Sequence, residues 1–263
     1  MIRLLFLGDI VGEPGRTAAK KVVTAMLAEN AVDFVVVNGE NAAHGRGITP
    51  KIAIDLLRSG VAVITTGDHV WDQKETAPYL PTEPRVLRPV NYPPGAPGQG
   101  SIVLDTAKGP IAVMNVQCRT FMNQQLDNPF TCAMAEVERL RAETPVIFVD
   151  VHGETTSEKT AVARHLDGKV SAVVGTHTHV QTADERILPG GTAFLCDAGM
   201  CGPLDSILGR KAEAVVQKFL DALPSQFPIA RGPVQVCGAL IEIDPATGRA
   251  ASISRFRQVL DEA

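Results

Sequence analysis

Four histidines and four acidic or amide residues stand at the ends of short apolar runs: Asp9, Glu40, Asn41, Asp68, His69, His152, His177 and His179. The chain has only six histidines. Three of them fall in two tight motifs, Asp150-Val151-His152-Gly153-Glu154 and Gly175-Thr176-His177-Thr178-His179. Imidazole nitrogens and carboxylate oxygens together suit borderline transition metals. Two such metals ~3.5–4 Å apart clamp the attacking and leaving oxygens of a phosphoryl group and lower the pKa of a bridging water. The pattern reads as a two-metal hydrolase site acting through a bridging hydroxide.

In extended backbone, residues i and i+2 point the same way, so His177 and His179 are expected to face one metal cluster. His152 adds a third nitrogen from a neighbouring strand tip. Asp9, Glu40 and Asp68 supply hard oxygens and offset two dications. Glu40, followed at once by Asn41, is the best bridge. His69 beside Asp68 is placed to protonate the expelled alkoxide as general acid. His44, on the Gly-rich segment Ala43–Gly47, is an alternative, with a plain loop role equally open. Each residue alone has a bland reading, since an aspartate after a strand is often a turn or cap residue. The convergence of five strand tips carries the argument, because ligands of open α/β sheets gather at the carboxyl ends of strands.

The elements that must position these groups are legible as apolar runs. Leu4–Leu7, Phe34–Val37 and Val61–Thr66 read as strands separated by helices, the second helix capped by Thr49 with Pro50 at its first position. Their continuous apolar character predicts parallel pairing covered by helices. Residues 78–100 are rich in Pro and Gly and read as a long loop. Ser101–Leu104 and Ile111–Val116 follow as a hairpin or neighbouring strands. A helix starting at Asn128-Pro129, strand Val146–Val149, helix Ser157–Leu166 and strand Val170–Val174 come next. Thr192–Leu195 is a strand, Ala212–Leu223 a helix, and Val234–Ile243 with Ala251–Val259 an antiparallel pair. One domain over residues 1–263, two packed sheets flanked by helices, is the expected architecture, with a small cap-like insertion around residues 117–145.

Composition narrows the partners. The 263 residues are 45% hydrophobic with a formal charge of −4, which gives no reason to expect nucleic-acid wrapping or an anionic membrane surface. No stretch approaches the ~20 apolar residues of a membrane span. Five cysteines form no C-x-x-C pair and read as reduced thiols of a cytoplasmic protein. Gly8–Gly15 matches neither phosphate-loop pattern, so nucleotide-triphosphate and dinucleotide readings lose their support. Arg16, Asn91, Asn115 and Thr178 are weaker candidates for touching substrate; a solvated helix-surface role competes for Arg16.

Gly8-Asp9-Ile10-Val11-Gly12, Asn38-Gly39-Glu40-Asn41-Ala42-Ala43-His44-Gly45, His69-Val70-Trp71-Asp72, Arg88-Pro89-Val90-Asn91 and the segments from His152 and Gly175 together resemble the YmdB-like branch of the calcineurin-like metallophosphoesterases. The likeness runs from Arg3 to about Ile243. It implies a four-layer α/β/β/α sandwich of two mixed sheets, with the dimetal site between the carboxyl ends of their strands. It implies that Asp9, Asn41 and His179 bind one metal, that Glu40 bridges, and that Asp68, His152 and His177 bind the second, with His69 catalytic. It further implies an iron or manganese pair, a homo-oligomer, and phosphodiesterase action on cyclic nucleotides, 2′,3′-cyclic mononucleotides included. The family usually reads Gly-Asn-His where this chain has Gly67-Asp68-His69. The extra charge favours tighter metal binding and a monoanionic diester over a dianionic monoester. Two other readings share these residues: a low-turnover module binding a nucleotide or partner protein, and a phosphomonoesterase or 5′-nucleotidase.

Overall fold

Strand residues alternate between two environments, and that alternation sorts the apolar side chains into separate cores. The computed structural model describes residues 1–261, so the last two residues of the expected domain lie outside it. Its first half contains β1 (Ile2–Leu7), β2 (Asp9–Ile10), α1 (Gly12–Ala28), β3 (Phe34–Asn38), α2 (Pro50–Arg58), β4 (Val63–Thr65) and the short α3 (Thr76–Tyr79). Then come β5 (Ser101–Leu104), β6 (Ile111–Gln117), α4 (Pro129–Arg141), β7 (Ile147–His152), α5 (Thr156–Leu166) and β8 (Ala172–Thr176). The chain ends with β9 (Arg186–Ile187), β10 (Ala193–Leu195), β11 (Met200–Pro203), α6 (Ala212–Asp221), β12 (Val234–Ile243) and β13 (Ala250–Leu260).

One sheet runs β2-β11-β12-β1-β3-β4, with β13 paired to β12, and the other runs β5-β6-β7-β8-β10-β9. Both are mixed. β1, β3 and β4 are parallel, while β12 is antiparallel to β1. β6, β7, β8 and β10 are parallel, with antiparallel β5 and β9 at the edges. Leu5 and Leu7 of β1 pack with Val22, Val23 and Leu56 of α1 and α2. Leu4 and Phe6 point the other way, into the core between the sheets. There the Phe6 ring centroid lies 4.9 Å from that of Phe148 on β7. Val149 and Val173 face outward onto Val137 of α4 and Val162 of α5. The layers are therefore helix, sheet, sheet, helix, as the resemblance implies.

Several boundaries differ from expectation. β4 is only three residues long, and α3 with a 3₁₀ turn at Leu80–Thr82 interrupts the expected loop after it. β2, β9 and β11 are two to four residues long, too short for periodicity to reveal. β7 extends through His152, so Asp150 and His152 sit inside the strand rather than after it. Within residues 117–145, α4 packs against β6, β7 and α5 as an outer-layer helix. Only the preceding loop reaches inward, where Gln124 Nε2 donates to the Asp68 carbonyl at 2.9 Å. No helix among the described residues is long and apolar enough to cross a membrane.

Candidate dimetal site

The core between the sheets turns polar at the carboxyl ends of its strands. Two-residue periodicity carries the inner face from Val36 to Asn38, Val63 to Thr65, Val174 to Thr176, and Phe148 to Asp150 and His152. All five of these polar side chains are buried. Asn38 is paired with Thr65 across β3 and β4, and His152 with Thr176 across β7 and β8.

Just beyond them, Glu40, Asp68, His152 and His177 each bring one donor atom within 4.8 Å of the others. His152 Nε2 lies 3.0 Å from Asp68 Oδ1, 3.2 Å from Glu40 Oε1 and 3.0 Å from His177 Nδ1. Asp9, Asn41 and His179 form a second group alongside. Asn41 Nδ2 lies 3.5 Å from Asp9 Oδ1 and 3.2 Å from His179 Nε2, and it donates to Glu40 Oε1 at 3.1 Å. Glu40 therefore touches both groups.

The electrostatics are those of a site built for cations. Burial opposes a charge on His152, yet Glu40 and Asp68 raise its pKa well above the ordinary imidazole value. Burial likewise opposes ionisation of Asp68, but hydrogen bonds from His152 and His177 hold it well below the carboxylate range. Glu40 is lowered against its own burial, chiefly by the charge of His152. Asp9 is raised by burial despite His179 and His152. Asp150, fully enclosed, is pushed up to about 6 by burial, although His152, Thr65, Thr176 and Asn38 all favour its charged form. Carboxylate oxygens and imidazole nitrogens converging in two adjoining groups are a donor set that fits divalent transition metals.

The His177–His179 turn corrects the extended-strand expectation. Both histidines have positive φ, +102° and +65°, so the segment turns sharply past the end of β8. The two imidazoles consequently go to different groups. His177 joins His152 and Asp68, and its Nε2 lies 3.1 Å from Glu154 Oε2. His179 joins Asn41 and Asp9. The turn is held from below: Asp197 Oδ2 accepts from Thr178 N at 3.1 Å and Thr178 Oγ1 at 2.8 Å, and it pairs with buried Lys159 at 2.8 Å. Asp9 Oδ2 accepts from His177 N at 3.0 Å.

A cavity of about 500 Å³ opens over both groups, lined among others by His69, Thr178, Glu154, Arg46 and Arg210. His69 Nδ1 is 3.1 Å from Asp72 Oδ2, and the same oxygen accepts from Arg46 Nε at 2.8 Å. The other weak candidates lie elsewhere. Arg16 and His44 line a separate cavity beside α2, and Arg16 donates to the Ala42 carbonyl. Asn91 is buried, donating to the Gln117 and Asp127 carbonyls and accepting from Gln117 N. Asn115 is buried and donates to the Thr66 and Leu87 carbonyls. Both asparagines knit loops together instead of lining the cavity. Conversely, sequence reasoning gave no site role to Glu154, Asp72, Arg46, Arg210, Lys159 or Asp197. Glu154 and Asp72 had a signal, as polar residues two and three positions after His152 and His69; Arg210 had none.

This geometry coincides with what comparison finds. The YmdB-like protein family matches residues 5–256. The chain belongs to that family. A Bacillus subtilis (strain 168) 2′,3′-cyclic-nucleotide 2′-phosphodiesterase is 46% identical over 255 residues, spanning 97% of this chain and 96% of its own length. The crystal structure of a hypothetical protein from Thermus thermophilus superposes with a TM-score of 0.91 at 37% identity, covering 100% of both chains. That of a Mycoplasma pneumoniae phosphatase gives 0.92 at 33%, covering 99% of this chain and 94% of the other. The YmdB-like chain is thus a calcineurin-like metallophosphoesterase with a Glu/Asp/His cluster suited to divalent metal.

Proposed function

We propose that this protein is a metal-dependent phosphodiesterase that opens cyclic nucleotides, with 2′,3′-cyclic mononucleotides preferred and the 2′ bond cleaved. The observation that carries the reading is Glu40 in contact with two donor groups beneath one cavity. The name of the Bacillus subtilis relative, shared across nearly the whole chain, supports the choice of substrate. In this reading Asp9, Asn41 and His179 hold one metal, Asp68, His152 and His177 hold the other, and Glu40 bridges. These residues would hold an iron or manganese pair, which would supply Lewis-acid polarisation of the phosphoryl group and a water of lowered pKa.

The chain's own groups orient and protonate. His69 presents Nε2 to the cavity because Asp72 holds its Nδ1. Protonated there, it gives its proton to the leaving ribose oxygen. Arg46, anchored on Asp72 through Nε, leaves the rest of its guanidinium for the phosphate. His69→Ala is expected to lower kcat by about 10²–10⁴-fold at unchanged metal content. A panel of 2′,3′-cyclic and 3′,5′-cyclic mononucleotides and nucleoside monophosphates, on manganese- or iron-loaded enzyme, tests the substrate. Faster turnover of monophosphates than of any cyclic diester would instead favour a phosphomonoesterase.

Asp68 is this chain's distinctive ligand. Asp68→Asn removes one charge from the group that contacts His152 and His177. It is expected to weaken metal binding and to improve relative turnover of dianionic monoesters, read by metal titration and by the ratio of the two activities. Identical values in both forms would remove the charge argument. A homo-oligomer is proposed on α6, where Phe219 and Leu220 are 84% and 76% exposed and suit burial against a second copy. Five free thiols support a reducing, cytoplasmic setting.

A further inference from the structure

Behind the candidate ligands lies a carboxylate that touches no ligand directly. Asp150 points from β7 into the space between the two sheets and is fully buried. Three donors converge on it: Thr65 Oγ1 and Asn38 Nδ2 (3.0 Å) on Oδ2, and Thr176 Oγ1 (2.7 Å) on Oδ1. A hydroxyl has one proton. The Thr176 proton is committed to Asp150, the shorter and charge-assisted contact. Thr176 can then only accept from its other neighbours, Asn38 Nδ2 at 3.5 Å and His152 Nδ1 at 2.9 Å. Neutral His152, the form that binds metal, must carry its proton on Nδ1, which leaves the Nε2 lone pair facing Glu40, Asp68 and His177. The second arm runs through Asn38. Its Nδ2 is held by Asp150, and its Oδ1 accepts from Glu40 N at 3.1 Å.

We propose that Asp150 is the positioning residue of this site: through Thr176 it sets the tautomer of His152, and through Asn38 it sets the backbone that carries Glu40. The inference rests on reading His152 and Glu40 as ligands. Its logic is directional. A carboxylate can only accept here, so the polarity of the chain runs one way, from imidazole through hydroxyl to carboxylate. An asparagine in its place would turn an amide hydrogen toward donors. Facing Thr176, it would reverse the chain and push the imidazole proton onto Nε2, the nitrogen a metal needs. Facing Asn38 and Thr65, it would set donor against donor. Partners that orient metal-binding histidines are worth about 10–100-fold in metal affinity.

Thr176→Val deletes the hydroxyl at nearly constant volume and should fold. Manganese or zinc affinity, measured by competition with a chromogenic chelator in the absence of substrate, is expected to fall about 10–100-fold in Thr176→Val and Asp150→Asn. Thr176→Ser should restore it. Nitrogen-15 NMR of the metal-free protein, at a pH above the raised imidazole pKa of His152, should report Nδ1–H on neutral His152 in wild type and loss of that single tautomer in Thr176→Val. A purely structural role would lower the melting temperature but leave the tautomer and the affinity of the folded variant alone. Wild-type affinity in folded Thr176→Val overturns the proposal. A wild-type protein that binds no metal overturns the ligand reading beneath it, so the two failures are distinct.

Discussion

Glu40→Gln should yield a stably folded protein that has lost metal and diesterase activity together. Glu40 is 1% exposed and sits at the junction of the site. Its Oε1 meets His152 Nε2 at 3.2 Å and accepts from Asn41 at 3.1 Å, while Oε2 accepts from His69 N at 3.4 Å. Glutamine keeps the shape but replaces one oxygen with a donor and removes the charge. The proposed bridging position then has one usable oxygen, and the remaining carboxylates would have to offset the metals alone. We expect kcat/KM to fall by at least about 10³-fold, a loss of roughly 4 kcal/mol of transition-state stabilisation. The metal-free fold should lose only part of its stability: the repulsion from Asp68 is relieved, while the attraction of His152 that holds the Glu40 pKa below its ordinary value is given up. Elemental analysis, calorimetry and diester hydrolysis on one preparation test this. Two metals per chain with near-native rates in Glu40→Gln would remove it from the bridging role.

Lys159→Met is expected to have the largest effect on stability. Lys159 is a fully buried cation, with Nζ 2.8 Å from Asp197 Oδ2 and 3.3 Å from the Thr176 carbonyl. Removing it strands the Asp197 carboxylate without a counter-charge, and breaking a buried pair from one side costs about 3–5 kcal/mol. For a chain of this size that lowers Tm by about 6–20 °C. The consequence reaches the site, because Asp197 also holds Thr178 and Gly199 N and so braces the turn that aims His177 and His179. A double variant, Lys159→Met with Asp197→Leu, separates the two effects. It should recover much of Tm, since an apolar pair removes the stranded charge. It should not recover metal affinity, since Thr178 has lost its acceptor. Recovery of both would mean that the ion pair stabilises the fold without shaping the turn.

Much of this protein was legible in its residues. The strands announced themselves as continuous apolar runs because both faces of each central strand are covered. Thr49-Pro50 and Asn128-Pro129 marked helix starts, and both side chains do cap, onto Ile52 N and Phe130 N. The residues that meet at Glu40 were visible because a polar group after an apolar strand is conspicuous. Short bridging strands such as β2 and β11 were not, since two to four residues hold no period.

The sequence by itself determined which donors stand at which strand ends, because strand identity and ligand type are local properties. Only the tertiary structure decided how they are shared out. It sends His177 and His179 to different groups, through a left-handed turn that no two-residue spacing encodes. It withdraws Asn91 and Asn115 into the framework, where loop carbonyls claim their amides. It also joins Asn38 to Asp150, 112 positions apart and on facing sheets. The reason is physical: hydrogen-bond direction, burial and tautomer are relations between elements, and they exist only once the two sheets have packed.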